Sequence, residues 1–314
     1  MAKSDGEERE RRIDRVVASR GWRLSLATGS AGALVISPMT CAAGVTDPAG
    51  PIGRQEMAIM TDALAIMLAI IVPVIIATLA FAWWFRASNT RARYLPNFSY
   101  SGRLELLTWS IPLMVVMFLG GIAWVGSHDL DPARRIGSTA RPVEVQVVSL
   151  DWKWLFIYPD QGVASVNQLV IPAGAPVHFR LTSASVMNSF FVPQLGSQIY
   201  TMAGMTTQLN LLADKPGIYQ GLSAQYSGAG FSEMRFHVIA LPPDAFAGWV
   251  AATHARGGNL DAAAYAGLVA PSQANPPVTY GTVAPDLFQT IVIQSAPGSM
   301  GSQMAMAQPP SGKN

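Results

Sequence analysis

Two long apolar runs decide what this chain can fold into. The first lies within Met57 to Phe85 and reads D-A-L-A-I-M-L-A-I-I-V-P-V-I-I-A-T-L-A-F-A-W-W-F, and the second extends from about Leu104 to Val125. A bilayer core takes about 20 apolar residues of helix, and only a helix or a closed barrel satisfies its own backbone polar groups where water is absent. Each run therefore predicts a membrane-spanning helix, the first kinked at Pro73. Trp83 and Trp84 close the first run, and Trp109 and Trp124 stand near the ends of the second, where indole favours the membrane interface. The loop between them carries Arg86, Arg91, Arg93 and Arg103, whereas His128, Asp129 and Asp131 open the polar segment that follows. The positive-inside rule then puts the loop in the cytoplasm and everything after residue 128 outside.

Composition supports this reading, since 50% of the 314 residues are hydrophobic and only 13% are charged, a balance that membrane spans explain. The formal net charge of +2 gives no basis for a nucleic-acid partner. A single cysteine, Cys41, excludes both an internal disulfide and a two-thiolate metal site within the chain. The four histidines, His128, His178, His237 and His254, lie far apart without metal-ligand spacing and are assigned no role.

Ahead of the spans, Arg9, Arg11, Arg12, Arg15, Arg20 and Arg23 precede a short apolar run from Leu24 to Ile36. That order reads as a secretory signal over residues 1–40, with 41–56 as an outer N-terminal segment and 57–127 as the helical hairpin. Cys41 follows Ser37-Pro38-Met39-Thr40 as a candidate lipid-attachment residue, the alternative being an idle thiol.

From Arg141 to Leu241 the texture changes to short β-branched and aromatic runs broken by Gly and Pro. Val143, Val145 and Val147, and again Val177, Phe179 and Leu181, alternate as half-buried strands do, so residues 128–241 predict a β-sandwich or Greek-key barrel. Beyond Pro242 and Pro243 the pattern turns helical at Asp244 to Ala255 and Asp261 to Val269, and a last apolar piece begins at Asp286. Residues 242–295 thus predict a short helical extension, and 296–314, rich in Gly, Ser, Met, Gln and Pro, a disordered tail.

Several motifs occur in a fixed order: Asp151-Trp152-Lys153-Trp154, Val186-Met187-Asn188-Ser189-Phe190-Phe191, Gly196-Ser197-Gln198-Ile199-Tyr200 and Leu222 to Met234. Together they resemble subunit II of the haem-copper oxidases, and within it the bo-type, quinol-oxidising branch. In the copper-bearing branch the last motif runs Cys-x-Glu-x-Cys-x-x-x-His-x-x-Met. Laid on it, Ser223 and Ser227 take the cysteine positions, Gln225 the glutamate, Phe231 the histidine and Met234 the methionine, while Asn188 takes that of an upstream histidine. The resemblance implies a cupredoxin-like sandwich that binds no redox cofactor of its own. It further implies that haems, one copper and the ubiquinol site lie in subunit I, with subunits III and IV as further partners and membrane lipid around the helices.

The same resemblance places the chain in a bacterial inner membrane with its C-terminal domain in the periplasm, as part of a proton-pumping terminal oxidase carrying electrons from ubiquinol to oxygen. Glu105, ahead of Trp109-Ser110-Ile111-Pro112, is a proton-entry candidate in that family, or else a solvated interfacial charge. Trp152 and Trp154 correspond to residues near electron entry in the cytochrome c branch. Without copper they are aromatic interface candidates for core packing and contact with the catalytic subunit. No acidic patch of the kind that steers cytochrome c is evident, so that partner is not expected. A rival reading is a membrane-tethered periplasmic binding or scaffold protein with a cupredoxin-like domain.

Overall fold

The computed structural model describes residues 44–93, 95 and 97–296. Cys41, the expected signal segment and the expected tail from 297 onward lie outside the described residues. Helix α1, Pro51–Trp84, and helix α2, Gly102–Asp129, form the hairpin, and both are long and apolar enough to cross a membrane. Pro51 occupies the first turn of α1, where a missing N–H costs nothing, so the helix starts six residues ahead of the apolar run. Its large side chains stay uncovered within the chain, Leu79 at 65% and Phe118 on α2 at 62%, as surfaces meant for lipid or another subunit do.

The outer domain is a sandwich of two sheets. One has seven strands in the order β11-β12-β3-β2-β1-β5-β8 and the other five in the order β4-β10-β9-β6-β7. Strands β1 (Val143–Leu150), β2 (Lys153–Tyr158), β5 (Val177–Ser183), β8 (Thr207–Leu211) and β10 (Arg235–Leu241) coincide with the alternating runs of the sequence. Strands β3 (Val163–Val166), β4 (Gln168–Pro172), β6 (Asn188–Phe191), β7 (Ile199–Thr201) and β9 (Gly217–Ser223) complete the two layers.

Between the sheets Trp154, Phe156, Phe190 and Phe236 pack as one aromatic cluster, Phe190 and Phe236 stacked at 5.2 Å and Trp154 edge-on to Phe190 at 5.5 Å. Pairs of this kind add about 0.5–1.5 kcal/mol each beyond the area they bury. Tyr158 ties the layers covalently distant in sequence: its hydroxyl donates to the Val170 carbonyl at 2.9 Å and accepts from the Val170 N–H at 2.8 Å.

Every residue of β2 is buried, which a strand with one wet face could not achieve. The C-terminal extension supplies the second cover. It comprises α3 (Pro243–Arg256) and α4 (Ala262–Val269), where the sequence turns helical, and α5 (Leu287–Gln294), where the last apolar piece begins. It also contributes two strands the sequence did not announce, β11 (Gly258–Leu260) and β12 (Val278–Val283), which prolong the seven-stranded sheet through an antiparallel β12–β3 pair. Leu260, Leu287, Phe288 and Ile291 then close a second core over Leu155, Ile157, Ala164 and Val166. Side chains of β2 thus alternate between two dry faces.

Candidate functional site

The six positions that would carry copper ligands lie on three elements. Asn188 opens β6, Ser223 ends β9, and Gln225, Ser227, Phe231 and Met234 follow in the loop and 3-10 turn that lead into β10. Antiparallel pairing of β6 with β9 sets Phe190 opposite Ser223, and the loop closes on itself where the Ser223 N–H donates to the Met234 carbonyl at 3.0 Å. The structure therefore brings these residues together. The Ser223 hydroxyl lies 3.3 Å from Oδ1 of Asn188 and 3.2 Å from the Gln225 carbonyl, either of which accepts its proton. Asn188 Nδ2 donates to the Val186 carbonyl at 3.2 Å, and the Ser227 hydroxyl faces the Met234 sulfur at 3.9 Å. Phe231 packs edge-on against Tyr226, ring centroids 5.7 Å apart.

These groups do not fit a copper centre. A mixed-valence pair needs bridging thiolates and imidazoles, soft donors that hold both oxidation states. Two amides, two hydroxyls, a thioether and a phenyl ring supply none of them, and the described residues contain no cluster of three or more His, Cys, Asp or Glu side chains placed to hold a metal.

The loop is held by an indole. Trp152 sits in the β1–β2 turn with φ +62°, and its Nε1 donates to the Ser227 carbonyl at 3.1 Å. Its ring lies so close to Gly230 that a Cβ there would come within 2.4 Å of it, so only glycine fits. Trp152 is thus half-buried over the ligand-frame loop. Trp154 is 0% exposed in the central core, which corrects the expectation that it could offer an interface: no partner can touch it.

Lys153, between the two tryptophans, escaped sequence reasoning altogether. It is buried, its Nζ donates to the Ala270 carbonyl at 2.8 Å and to the Ser272 hydroxyl, and so it pins the loop after α4. Burial pushes its pKa below the usual lysine value, opposed by the nearby Asp151 carboxylate. Asn167 bridges the same region, Oδ1 accepting from the Trp154 N–H at 2.9 Å and Nδ2 donating to the Asn275 carbonyl at 3.0 Å. His254 lies 2.7 Å from the Gly281 carbonyl through Nδ1 and 2.8 Å from the Gln161 carbonyl through Nε2, fixing α3 to the sheet edge.

The sandwich is seated on the first turns of α1. Ala49 N–H donates to the Gln194 carbonyl at 2.7 Å, Asp214 N–H to the Ala49 carbonyl at 2.9 Å, and Gly53 N–H to the Leu195 carbonyl at 3.2 Å. Arg54 pairs with Asp214, and Ser197 donates to Glu56. Glu105 stands apart from all of this, in the first turn of α2 at the opposite end of the hairpin, exposed and followed by Trp109 at 73% exposure. A carboxylate there is favoured by the helix dipole.

Residues 159–241 match the family model described as cytochrome c oxidase subunit II, periplasmic domain, and residues 254–296 match the one described as the COX aromatic-rich motif. The chain is 48% identical over 252 residues to the cytochrome bo(3) ubiquinol oxidase subunit 2 of Pseudomonas aeruginosa, covering 80% of this chain and 76% of that one. It is 46% identical over 272 residues to the ubiquinol oxidase subunit 2 of Acetobacter aceti, covering 86% and 88%. A quinol oxidase subunit 2 of Bacillus cereus is similar at 35% identity over 228 residues, covering 72% and 78%.

Proposed function

Because the chain belongs to the subunit 2 family of quinol oxidases, we propose that it is the cofactor-free second subunit of a terminal oxidase that passes electrons from ubiquinol to oxygen. The observation that carries this reading is the ligand frame itself. Asn188, Ser223, Gln225, Ser227, Phe231 and Met234 are gathered on β6, β9 and the loop into β10 while offering no thiolate or imidazole. Electrons consequently take no path through this domain, and the redox groups, haems and one copper, belong to subunit I, where ubiquinol is oxidised.

The chain's own residues position and enclose. Its hairpin packs against subunit I within the inner membrane, subunits III and IV complete the complex, and the sandwich covers the periplasmic side. The seat on α1 makes this cover rigid, since backbone bonds from Ala49, Gly53 and Asp214 fix the domain to the helix rather than to a loose linker. Trp152, half-buried over the loop, packs toward the catalytic subunit. Glu105 is placed at the cytoplasmic end of α2 to hand protons inward, and Cys41 accepts a lipid that supplements the two helices as an anchor.

The test is metal analysis together with quinol and cytochrome c oxidase assays on the complex that copurifies with this chain in detergent. One copper per haem pair with quinol-only turnover is expected. Additional copper, or turnover with cytochrome c, would overturn the assignment.

A further inference from the structure

A groove runs between α1 and α2 at their outer ends, with about 580 Å³ of space, within the roughly 300–1,000 Å³ of ligand clefts. The helices meet where a Cβ on Gly126 would lie 2.7 Å from Ile59 Cδ1, and the groove opens inward from there past Ile122 and Gly121 to Met117, Gly121 having nothing within 4 Å. From Gly126 to Met117 is about 14 Å at the helical rise of 1.5 Å per residue, close to one leaflet of a hydrocarbon core about 30 Å thick. Directly above it, sharing Gln55 and Asp129, lies a polar recess of about 320 Å³ bounded by Asp131, Arg134 and Arg135.

The charges in that recess are unequally engaged. Asp129 pairs with Arg134 at 3.1 Å, and Asp131 Oδ1 accepts from the Ala133 N–H at 2.9 Å. Arg135 is exposed and has no hydrogen bond or ion pair among the described residues. A free guanidinium at the interface over an apolar slot one leaflet deep is the outline of an amphiphile with an anionic head.

We propose that the outer ends of α1 and α2 bind a glycerophospholipid of the outer leaflet, one acyl chain in the groove between Gly126 and Met117 and the phosphate on Arg135. Guanidinium and phosphate form charge-assisted, bidentate hydrogen bonds, which makes arginine the suitable partner. The lipid would fill the space beside the contact of Gly126 with Ile59, and so stiffen the hairpin beneath the seat of the sandwich.

Native mass spectrometry of the detergent-extracted complex containing the full chain tests this. Wild type is expected to retain a phospholipid whose occupancy falls about ten-fold or more in Arg135→Gln, from loss of the charge-assisted bonds, and similarly in Gly121→Leu, which fills the slot. Equal occupancy in wild type and Arg135→Gln would overturn the proposal. A photo-crosslinking residue at Val125 gives a second reading that does not depend on either variant assembling: an adduct to phospholipid supports the site. An adduct to a partner polypeptide, or no adduct, overturns it.

Discussion

Replacing Gly50 by alanine isolates the seat between membrane helix and sandwich. Gly50 caps α1 in an extended conformation, φ −146° and ψ 165°, which alanine adopts freely, so any cost is contact rather than backbone strain. A Cβ there would lie 2.3 Å from the Leu212 carbonyl oxygen and 3.2 Å from that of Leu195, both backbone atoms with no rotamer to yield. Relief to an ordinary carbon–oxygen contact of about 3.3 Å moves the two segments apart by about 1 Å. That stretches the flanking bonds, Ala49 N–H to Gln194 at 2.7 Å and Asp214 N–H to Ala49 at 2.9 Å, beyond useful geometry. Two such bonds contribute about 0.5–1.5 kcal/mol each. The stiffer unfolded chain returns about 0.4–1 kcal/mol, leaving a loss on the order of 1–2 kcal/mol. For a domain of this size the melting temperature should drop by about 2–8 °C. Pulse proteolysis of the purified complex across a temperature series, with immunodetection of this subunit, reads the drop. Gly120 is the control, since nothing lies within 4 Å of its Cβ, and Gly120→Ala should be neutral or slightly stabilising. Indistinguishable melting of the two variants and wild type would refute the rigid seat.

Three further outcomes follow from the same geometry. Introducing Cys at Ser223 and Ser227, Glu at Gln225 and His at Phe231 and Asn188 should yield a domain that binds copper and absorbs visible light, because the loop already closes through the Ser223–Met234 bond; a folded variant without copper would show the frame to be only superficially alike. Glu105→Ala should slow quinol-driven proton uptake while the complex assembles normally, and unchanged uptake would remove Glu105 from the path. Lys153 has its pKa lowered by burial from its ordinary value of 10.5, so over alkaline pH below that value the unfolded chain binds more protons and stability rises with pH. Relative to Lys153→Met, which keeps the stem and drops the charge, wild type should therefore gain stability as pH rises through that window, measured by denaturant melts at several pH values; a difference independent of pH would mean the ammonium is not held away from water.

The hairpin and five of the sandwich strands were legible because apolar length and period-two alternation are direct consequences of lipid and of a half-buried sheet. The sheet extension was not. Gly258-Asn259-Leu260 is too short to show a period, and Gly281 interrupts the alternation of Val278–Val283, so both strands went unread within the expected helical extension. The two tryptophans were grouped on the family resemblance, which does not separate their surroundings. Trp152 adopts φ +62° in the turn before β2, which sends its indole over the loop while Trp154 enters the core. Lys153 had no sequence signature, since its burial depends on the extension covering the second face of the sheet. The six frame positions came from the family resemblance, and their hydrogen bonds had no signature in the sequence.

Those hydrogen bonds bear on how the loop from Ser223 to Met234 holds its shape. A bound ion contributes folding free energy to the loops that ligate it, and its loss leaves polar groups facing one another with nothing to organise them. Here the loop between Ser223 and Met234 is closed by backbone, capped by the Trp152 indole on Gly230, and floored by the aromatic cluster of Trp154, Phe190 and Phe236. Each of these acts through backbone atoms or through residues other than the six. The side-chain bonds of Ser223 to Asn188 and to the Gln225 carbonyl add to these supports. Backbone bonds likewise join the hairpin to the sandwich, through Ala49, Gly53 and Asp214.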